Sequence, residues 1–331
     1  MEKLLVTFPL DTVLGRRDMK YRIFLSAAAV ALLAGCDNEP GCGFTDCGSG
    51  LPGGGGGIGA GGLMEVDADS APIALREAWY ATIASADTPF LVAATGVGDT
   101  SGGTASTGSS SKIGSGVGVQ VDPFGPTVYN CPVSGTFTIS GDVADPLTLT
   151  VGDTVTYDSI ACDSGTGYTV NGIHQIDVDA VSGDVFSGMF VVTETFDFRG
   201  FQANTATNVT TLNGDHTVTI DTELANTIQT VFSGDSLTIE ENGVTMAINS
   251  YSGAAYLTVD EYLLDAVGRA NTTIVTGSFN YDTTKTIQQR TGERAHDGVV
   301  NIYGDNSKAR IIIIDSTTIR LQVDDNNSDN Y

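Results

Sequence analysis

The chain of 331 residues is strongly acidic: 15 Lys and Arg stand against 40 Asp and Glu, which gives a formal net charge of −25. Such a charge repels nucleic acids and anionic lipid headgroups and attracts cations, so nucleic acid is excluded as a partner. The length suffices for one large domain or two small ones. We interpret the acidity as a solubility feature, with specific calcium binding as the alternative.

An export signal begins at Met19. Two basic residues follow it, and residues 23–33 then form an apolar run of eleven residues. The run is shorter than the roughly 20 residues that a transmembrane helix needs, but it matches the apolar region of about 7–15 residues in a secretory signal. Residues 19–35 are therefore predicted to be a cleaved signal peptide. Residues 1–18 contain acidic side chains that such signals avoid, and we interpret them as an over-extended gene start.

The signal ends in the sequence Leu-Ala-Gly-Cys at residues 33–36. These four residues resemble the lipobox of bacterial lipoproteins. In that family the cysteine thiol is diacylated, the signal is cut just before the cysteine, and the new α-amine is usually acylated. The resemblance implies that Cys36 becomes the lipid-bearing first residue, since two or three acyl chains hold a protein stably on a membrane. We expect the outer membrane of the cell envelope. Asp37 resembles the inner-membrane retention signal of enterobacterial members and makes the inner membrane the alternative.

Four cysteines remain after Cys36, and four cysteines allow three pairings. Their spacing favours one disulfide between Cys42 and Cys47 and another between Cys131 and Cys162. The second bond would close a loop of about 30 residues and contribute about 3–4 kcal/mol to stability. A metal site is the rival interpretation, but Cys131 and Cys162 lack the paired spacing of zinc ribbons.

Two segments precede the β-rich region. Residues 36–63 are dominated by glycine and are predicted to form a flexible tether with a reach of about 25–30 Å. Residues 64–126 combine a helix, predicted from Ala71 to Ala84, with a low-complexity Gly/Ser/Thr loop. Ser70 is expected to cap the helix. An apolar stripe at every fourth position is expected to pack on the β domain; it consists of Leu75, Trp79 and Ile83.

Residues 127–325 have the composition of strands and turns. Thr, Val, Ile, Phe and Tyr alternate with polar residues, and Gly-Asp and Asn-Gly pairs interrupt them. We predict an all-β domain: an antiparallel, hairpin-rich curved sheet or partial barrel with the single N-terminal helix against it. About a dozen strands exceed what an open flat sheet tolerates without curling or splitting, and a β-sandwich is the alternative. Residues 326–331 form a C-terminal tail.

The clearest hairpin is centred on Asn242 and Gly243, a pair that favours a two-residue type I′ turn. This turn sets Glu241 opposite Val244. It predicts two further cross-strand pairs on one buried face, which are Ile239 with Met246 and Leu237 with Ile248.

A short internal repeat is present: residues 171–179 (NGIHQIDVD) share their pattern with residues 213–221 (NGDHTVTID). If each Asn-Gly pair is a hairpin turn, His174 lies opposite Thr169 and His216 lies opposite Thr211, each on an apolar face. The functional interpretation is a shared metal or proton site. We favour a structural one, in which each partly buried histidine is hydrogen-bonded to the threonine hydroxyl or the turn backbone, because no third ligand has a matching position.

We expect no cofactor, and calcium is the alternative that the sequence suggests. Asp325, Asn327 and Asp329 have the alternate-residue spacing of the start of a calcium loop, but the glycine and the distal glutamate of that loop are missing. The chain contains no Gly-x-Ser-x-Gly, no Ser-x-x-Lys with its partner motifs and no His-Glu-x-x-His. We therefore expect a protein that is not an enzyme.

Three functions follow from these observations. The favoured one is a non-enzymatic cell-envelope lipoprotein that acts by binding or scaffolding, with a protein, glycan or lipid partner. The second is a carrier that encloses an apolar ligand within the curved sheet, which requires an inner cavity. The third is an envelope hydrolase, which requires a pocket that joins His174 or His216 to a carboxylate.

Overall fold

The computed structural model describes residues 5–9, 62–67, 69–95, 124–144, 150–184, 189–224, 227–290 and 293–324. These residues form one helix, α1 (Ala71–Thr95), and fourteen strands. The strands are β1 (Leu5–Pro9), β2 (Phe124–Asn130), β3 (Ser134–Asp142), β4 (Thr154–Asp163), β5 (Thr169–Asp184), β6 (Met189–Asn204), β7 (Val209–Asp221), β8 (Thr227–Glu241), β9 (Val244–Thr258), β10 (Glu261–Thr272), β11 (Ser278–Arg290), β12 (Ala295–Tyr303), β13 (Lys308–Asp315) and β14 (Thr318–Asp324).

All strands belong to one antiparallel sheet in which β2 to β14 each pair with the next strand along the chain, and β1 pairs with β14. The sheet is open, because β1 and β2 have one partner strand each. The prediction of an all-β, antiparallel, hairpin-rich curved sheet is confirmed, and a single sheet replaces the alternative of a sandwich. Within the part of the chain that the structure describes, no helix combines the length and the apolar character that crossing a bilayer requires.

Helix α1 is longer than its sequence predicts, because it continues past Ala84 to Thr95. It packs on β8, β9, β10, β12 and β13. Leu75 and Trp79 are buried as expected, whereas Ile83 is partly exposed. Ser70 does not cap the helix in the expected way: its hydroxyl accepts the N–H of Asp67 at 3.0 Å, and the Asp67 carboxylate accepts the N–H of Ser70 at 2.7 Å.

Hydroxyl side chains on α1 explain why the prediction ended too early. Thr82, Ser85 and Thr88 are buried, and each donates its hydroxyl hydrogen to the carbonyl oxygen four residues earlier, at 2.7–2.9 Å. Such bonds satisfy a polar group inside the helix that carries it. A segment whose composition resembles a loop can therefore lie as a helix against the sheet.

The hairpin at Asn242 and Gly243 is confirmed. Both residues have positive φ, 51° and 82°, as a type I′ turn requires. The register pairs Glu241 with Val244, Ile239 with Met246 and Leu237 with Ile248. Ile239, Met246, Leu237 and Ile248 are all buried, so local turn chemistry and burial select the same register.

The other two Asn-Gly pairs are not turns, and the prediction that they begin hairpins is wrong. Asn171 and Gly172 lie inside β5, and Asn213 and Gly214 lie inside β7. Both glycines have positive φ, 83° and 108°, at places where the pairing register shifts. They are β-bulges, which use the same left-handed glycine geometry as a turn but bend and twist the strand instead of reversing it.

The repeated asparagines have equivalent partners in the preceding strands. The Asn171 Oδ1 atom accepts the N–H of Ala161 in β4 at 2.8 Å, and the Asn213 Oδ1 atom accepts the N–H of Gly200 in β6 at 2.7 Å. Ala161 and Gly200 themselves have positive φ, 47° and 61°. The internal sequence repeat therefore corresponds to a repeated β-bulge that curves the sheet.

The predicted disulfide between Cys131 and Cys162 is formed, with a Cα–Cα distance of 5.5 Å. It links the segment between β2 and β3 to the end of β4, and both cysteines are buried. We expect the double substitution of both residues by alanine to lower the free energy of unfolding by about 3–4 kcal/mol, because the closed loop restricts the unfolded chain. Urea unfolding under non-reducing conditions measures this loss. Dithiothreitol should produce the same loss in the native protein and none in the double variant; equal stability of the two oxidised proteins would contradict the expectation.

Candidate functional site

Several residues singled out in the sequence lie outside the described residues. They are Cys36, Cys42, Cys47, Asp325, Asn327 and Asp329. The lipid anchor, the second disulfide and the calcium site therefore stay predictions. In the ranges that the structure describes, no group of three or more His, Cys, Asp or Glu side chains is arranged to hold a metal ion.

The histidines of the two repeats lie on the buried face of the sheet, but they are not neighbours. His174 on β5 pairs with Phe198, and His216 on β7 pairs with Phe196, so that strand β6 and its two phenylalanines separate the imidazoles. Strands are about 4.8 Å apart, so the backbones of the two histidines are about 10 Å or more apart. The interpretation as a shared metal or proton site receives no support from this register.

His174 is enclosed by aromatic rings. Its imidazole stacks on Tyr157 with the ring centroids 4.7 Å apart and meets the edge of Phe201 at 5.2 Å. The side chain is 1% exposed, and burial lowers the pKa of His174 to about 3. The expected pairing with Thr169 is wrong, since the bulge at Gly172 places Tyr157 and Phe198 beside this histidine.

His216 is fully buried and bonded to a tyrosine instead of Thr211. Tyr251 donates its phenolic hydrogen to the carbonyl oxygen of Asp215 at 3.1 Å, and the Tyr251 oxygen lies 2.9 Å from His216 Nδ1. Because a phenol has one hydrogen, the imidazole donates its Nδ1–H and leaves the lone pair on Nε2. Burial lowers the pKa of His216 to about 3, so both histidines are neutral parts of the core.

A carboxyl group that the sequence interpretation missed lies on the same inner face. Glu194 on β6 is flanked in register by Val178 and Val218, both buried. Alternation along β6 places Glu194 on the side of Phe196 and Phe198, while Asp197 points to the other side. The period of two in this strand was the signal that could have identified Glu194 as inward-facing.

Glu194 has mostly buried neighbours, but its own side chain is partly exposed. Burial raises the pKa of Glu194 to about 7, and burial together with the charge of Glu194 raises the pKa of Tyr157 to about 12. Both side chains nevertheless retain partial exposure to solvent. Glu194 and Tyr157 are therefore reached by solvent on a face whose neighbouring side chains are mostly buried.

Apolar side chains with the same partial exposure surround this carboxyl group. Val155 pairs with Ile176 across β4 and β5, and Ile220 pairs with Val192 across β6 and β7. The surface that these residues form is called the inner recess here, and it consists of Val155, Tyr157, Ile176, Glu194 and Ile220. It lies on β4 to β7, whereas α1 packs on β8 to β10 and on β12 and β13.

Polar groups on the opposite face of these strands satisfy one another. Thr193 and Thr219 are hydrogen-bonded at 2.9 Å, as are Thr195 and Thr217. Thr195 also donates to Asp179 at 2.7 Å. In contrast, Glu194 has no hydrogen bond or ion pair with any residue in the described ranges. The inner recess is therefore the candidate binding site.

Comparison with protein-family models, with curated proteins and with solved structures returned no match.

Proposed function

We propose that this chain is an exported, lipid-anchored protein of the cell envelope that acts as a non-enzymatic binding module. Three features support export and anchoring: the signal-like residues 19–35, the lipobox-like residues 33–36, and the disulfide between Cys131 and Cys162. Disulfides of this kind persist in oxidising compartments outside the cytoplasm. We place the protein on the outer membrane, with the inner membrane as the alternative because of Asp37.

The inner recess is the binding surface in this proposal. The single observation that carries it is Glu194, a carboxyl group in apolar surroundings that has no partner among the residues that the structure describes. Solvent reaches this carboxyl group, so it is accessible to a molecule from outside, and its apolar surroundings strengthen an interaction with an opposite charge. Hydrolysis receives no such support, because both core histidines are enclosed by rings and neutral.

Mass spectrometry of the native N-terminus tests the anchor. We expect the mature chain to begin at Cys36, with a diacylglycerol on its thiol and a fatty acyl group on its α-amine, so that β1 is removed with residues 1–35 and β14 becomes an edge strand. Cys36→Ser should abolish incorporation of labelled palmitate, because serine lacks the thiol that is acylated. Cys42→Ser is the matched control and should keep the label. An uncut leader without fatty acid on the native chain would contradict the proposal.

A carrier of an apolar ligand is the second candidate function. The partly exposed side chains of Val155, Ile176 and Ile220 favour it, because they provide an apolar surface that the core has not fully covered. Burial of such surface by a ligand is favourable at about 25 cal/mol per Å². Extraction of the native protein with organic solvent tests it: a carrier should release a stoichiometric apolar molecule, whereas a scaffold should release none, because its own acyl chains are covalently attached.

A further inference from the structure

The charges around the inner recess define what kind of molecule fits Glu194. Arg199 is the single Lys or Arg between Thr154 and Asp221 in the sequence. Its guanidinium donates to the Asp197 carboxylate at 2.6 Å, in an ion pair in which Arg199 is exposed and Asp197 is partly exposed. No cation of β4 to β7 is therefore available to Glu194.

The apolar part of the recess defines the rest of the ligand. Glu194 lies between Val178 and Val218 across the strands and between Val192 and Phe196 along its own strand. A molecule whose polar end contacts this carboxylate must therefore place its remaining atoms on aliphatic and aromatic side chains. An anionic head would be repelled by Glu194 itself and by a protein with a formal charge of −25.

From this charge complementarity we infer that the inner recess binds a cationic amphiphile, with a primary ammonium group on the Glu194 carboxylate and an alkyl tail across Ile176 and Val155, which lie on the neighbouring strands β5 and β4. The inference rests on the proposed binding function and specifies its ligand class. The ammonium supplies a donor and a counter-charge that none of the described residues gives to Glu194, and a hydrogen bond with an ionised partner is stronger than a neutral one.

Calorimetric titration of the lipid-free full-length chain tests the inference with three probes of equal chain length below their micellar concentrations: dodecylammonium, dodecanol and dodecanoate. We expect dodecylammonium to bind most tightly and dodecanoate to bind most weakly. Glu194→Gln keeps the size of the side chain and removes its charge. It should weaken dodecylammonium binding about 10–100-fold, which is the effect of losing one charged hydrogen bond, and leave dodecanol binding within about twofold.

Two further variants control the experiment. Glu240→Gln removes the same charge from an exposed position on β8, and it should leave all three affinities unchanged. Ile176→Lys places an ammonium group of the protein on the strand next to Glu194, and it should abolish dodecylammonium binding. This second variant keeps the test decisive if Glu194→Gln fails to fold, as judged by circular dichroism.

The outcomes separate this inference from the proposed function. If dodecanol and dodecylammonium bind equally well and Glu194→Gln changes neither, the ligand class is wrong while the apolar carrier stands. Preferential binding of dodecanoate also overturns the ligand class. If none of the three probes binds, both the ligand class and the apolar carrier are overturned.

Discussion

The free energy of unfolding should fall between pH 8 and pH 5, and replacement of His174 by phenylalanine should make this fall about 2 kcal/mol smaller. The pKa of His174 is about 3 in the folded protein, against about 6.5 in an unfolded chain. Between these two values the unfolded chain binds a proton that the folded protein does not bind, so stability falls as the pH falls from 6.5 towards 3. His216 has the same pKa shift for the same reason, and its contribution should be of similar size.

Urea unfolding of the native protein and the variant at a series of pH values measures this effect. The pH dependence is compared instead of the stability at a single pH, because the substitution also changes packing against Tyr157 and Phe201. Glu194 acts in the opposite direction: its pKa of about 7 is raised, so its contribution to stability is present below pH 4.5 and is lost as the pH rises through 7. Its effect cancels when the native protein and the His174 variant are compared.

His296 provides the matched control. Its imidazole is 27% exposed and lies 3.8 Å from a Glu261 carboxylate oxygen, so its replacement does not remove a histidine from a dry core. We expect His296→Phe to retain the acid-dependent loss that His174→Phe removes. Identical pH dependence of the native protein and His174→Phe would show that the buried imidazole titrates normally, and it would contradict the assignment of His174 as a neutral core group.

Gly172→Ala should lower the free energy of unfolding by about 3 kcal/mol or more. One part of the loss is the positive φ of 83°, which costs an alanine about 1–2 kcal/mol. The larger part is steric, because a Cβ atom at residue 172 would lie 2.0 Å from the carbonyl oxygen of Gly200 on β6. Backbone atoms cannot rotate away, so β5 and β6 would have to separate, and overpacking of this kind typically costs about 1–3 kcal/mol.

The chain contains a control with nearly the same backbone angle and no steric conflict. Gly243 has φ of 82°, and nothing lies within 4 Å of the position that its Cβ would occupy. Gly243→Ala should therefore lose only the backbone part, about 1–2 kcal/mol. Chemical denaturation of both variants separates the two contributions. Equal losses would mean that β5 and β6 do not approach each other closely at this bulge.

The same dipeptide shows where prediction from the sequence succeeded and where it failed. At Asn242 and Gly243 the turn, the register and the buried face were all predicted, because each depends on residues next to one another in the chain. At Asn171 and Asn213 the dipeptide specifies the same positive φ but not the path of the strand. The bulges form because Ala161 and Gly200, on neighbouring strands, supply N–H groups to the asparagine side chains.

The candidate site shows the same division. Alternation along β5 and β7 predicted correctly that His174 and His216 face the apolar side of the sheet. It did not predict their partners, since Tyr157 and Tyr251 reach them through registers that the bulges shift. Glu194 was one of 40 acidic residues in the sequence, and its lack of a partner among the described residues became visible only when the neighbouring strands were in place.

By itself the sequence determined the all-β class, the antiparallel hairpins, the disulfide between Cys131 and Cys162, and the prediction of a lipid anchor at Cys36. These features depend on composition, short spacing and local turn chemistry. Only the tertiary structure decided the length of α1, the bulges at Gly172 and Gly214, and the inner recess around Glu194. Each of these depends on which strands lie side by side, because burial and hydrogen-bond partners are properties of neighbours in space that the order of residues along the chain does not specify.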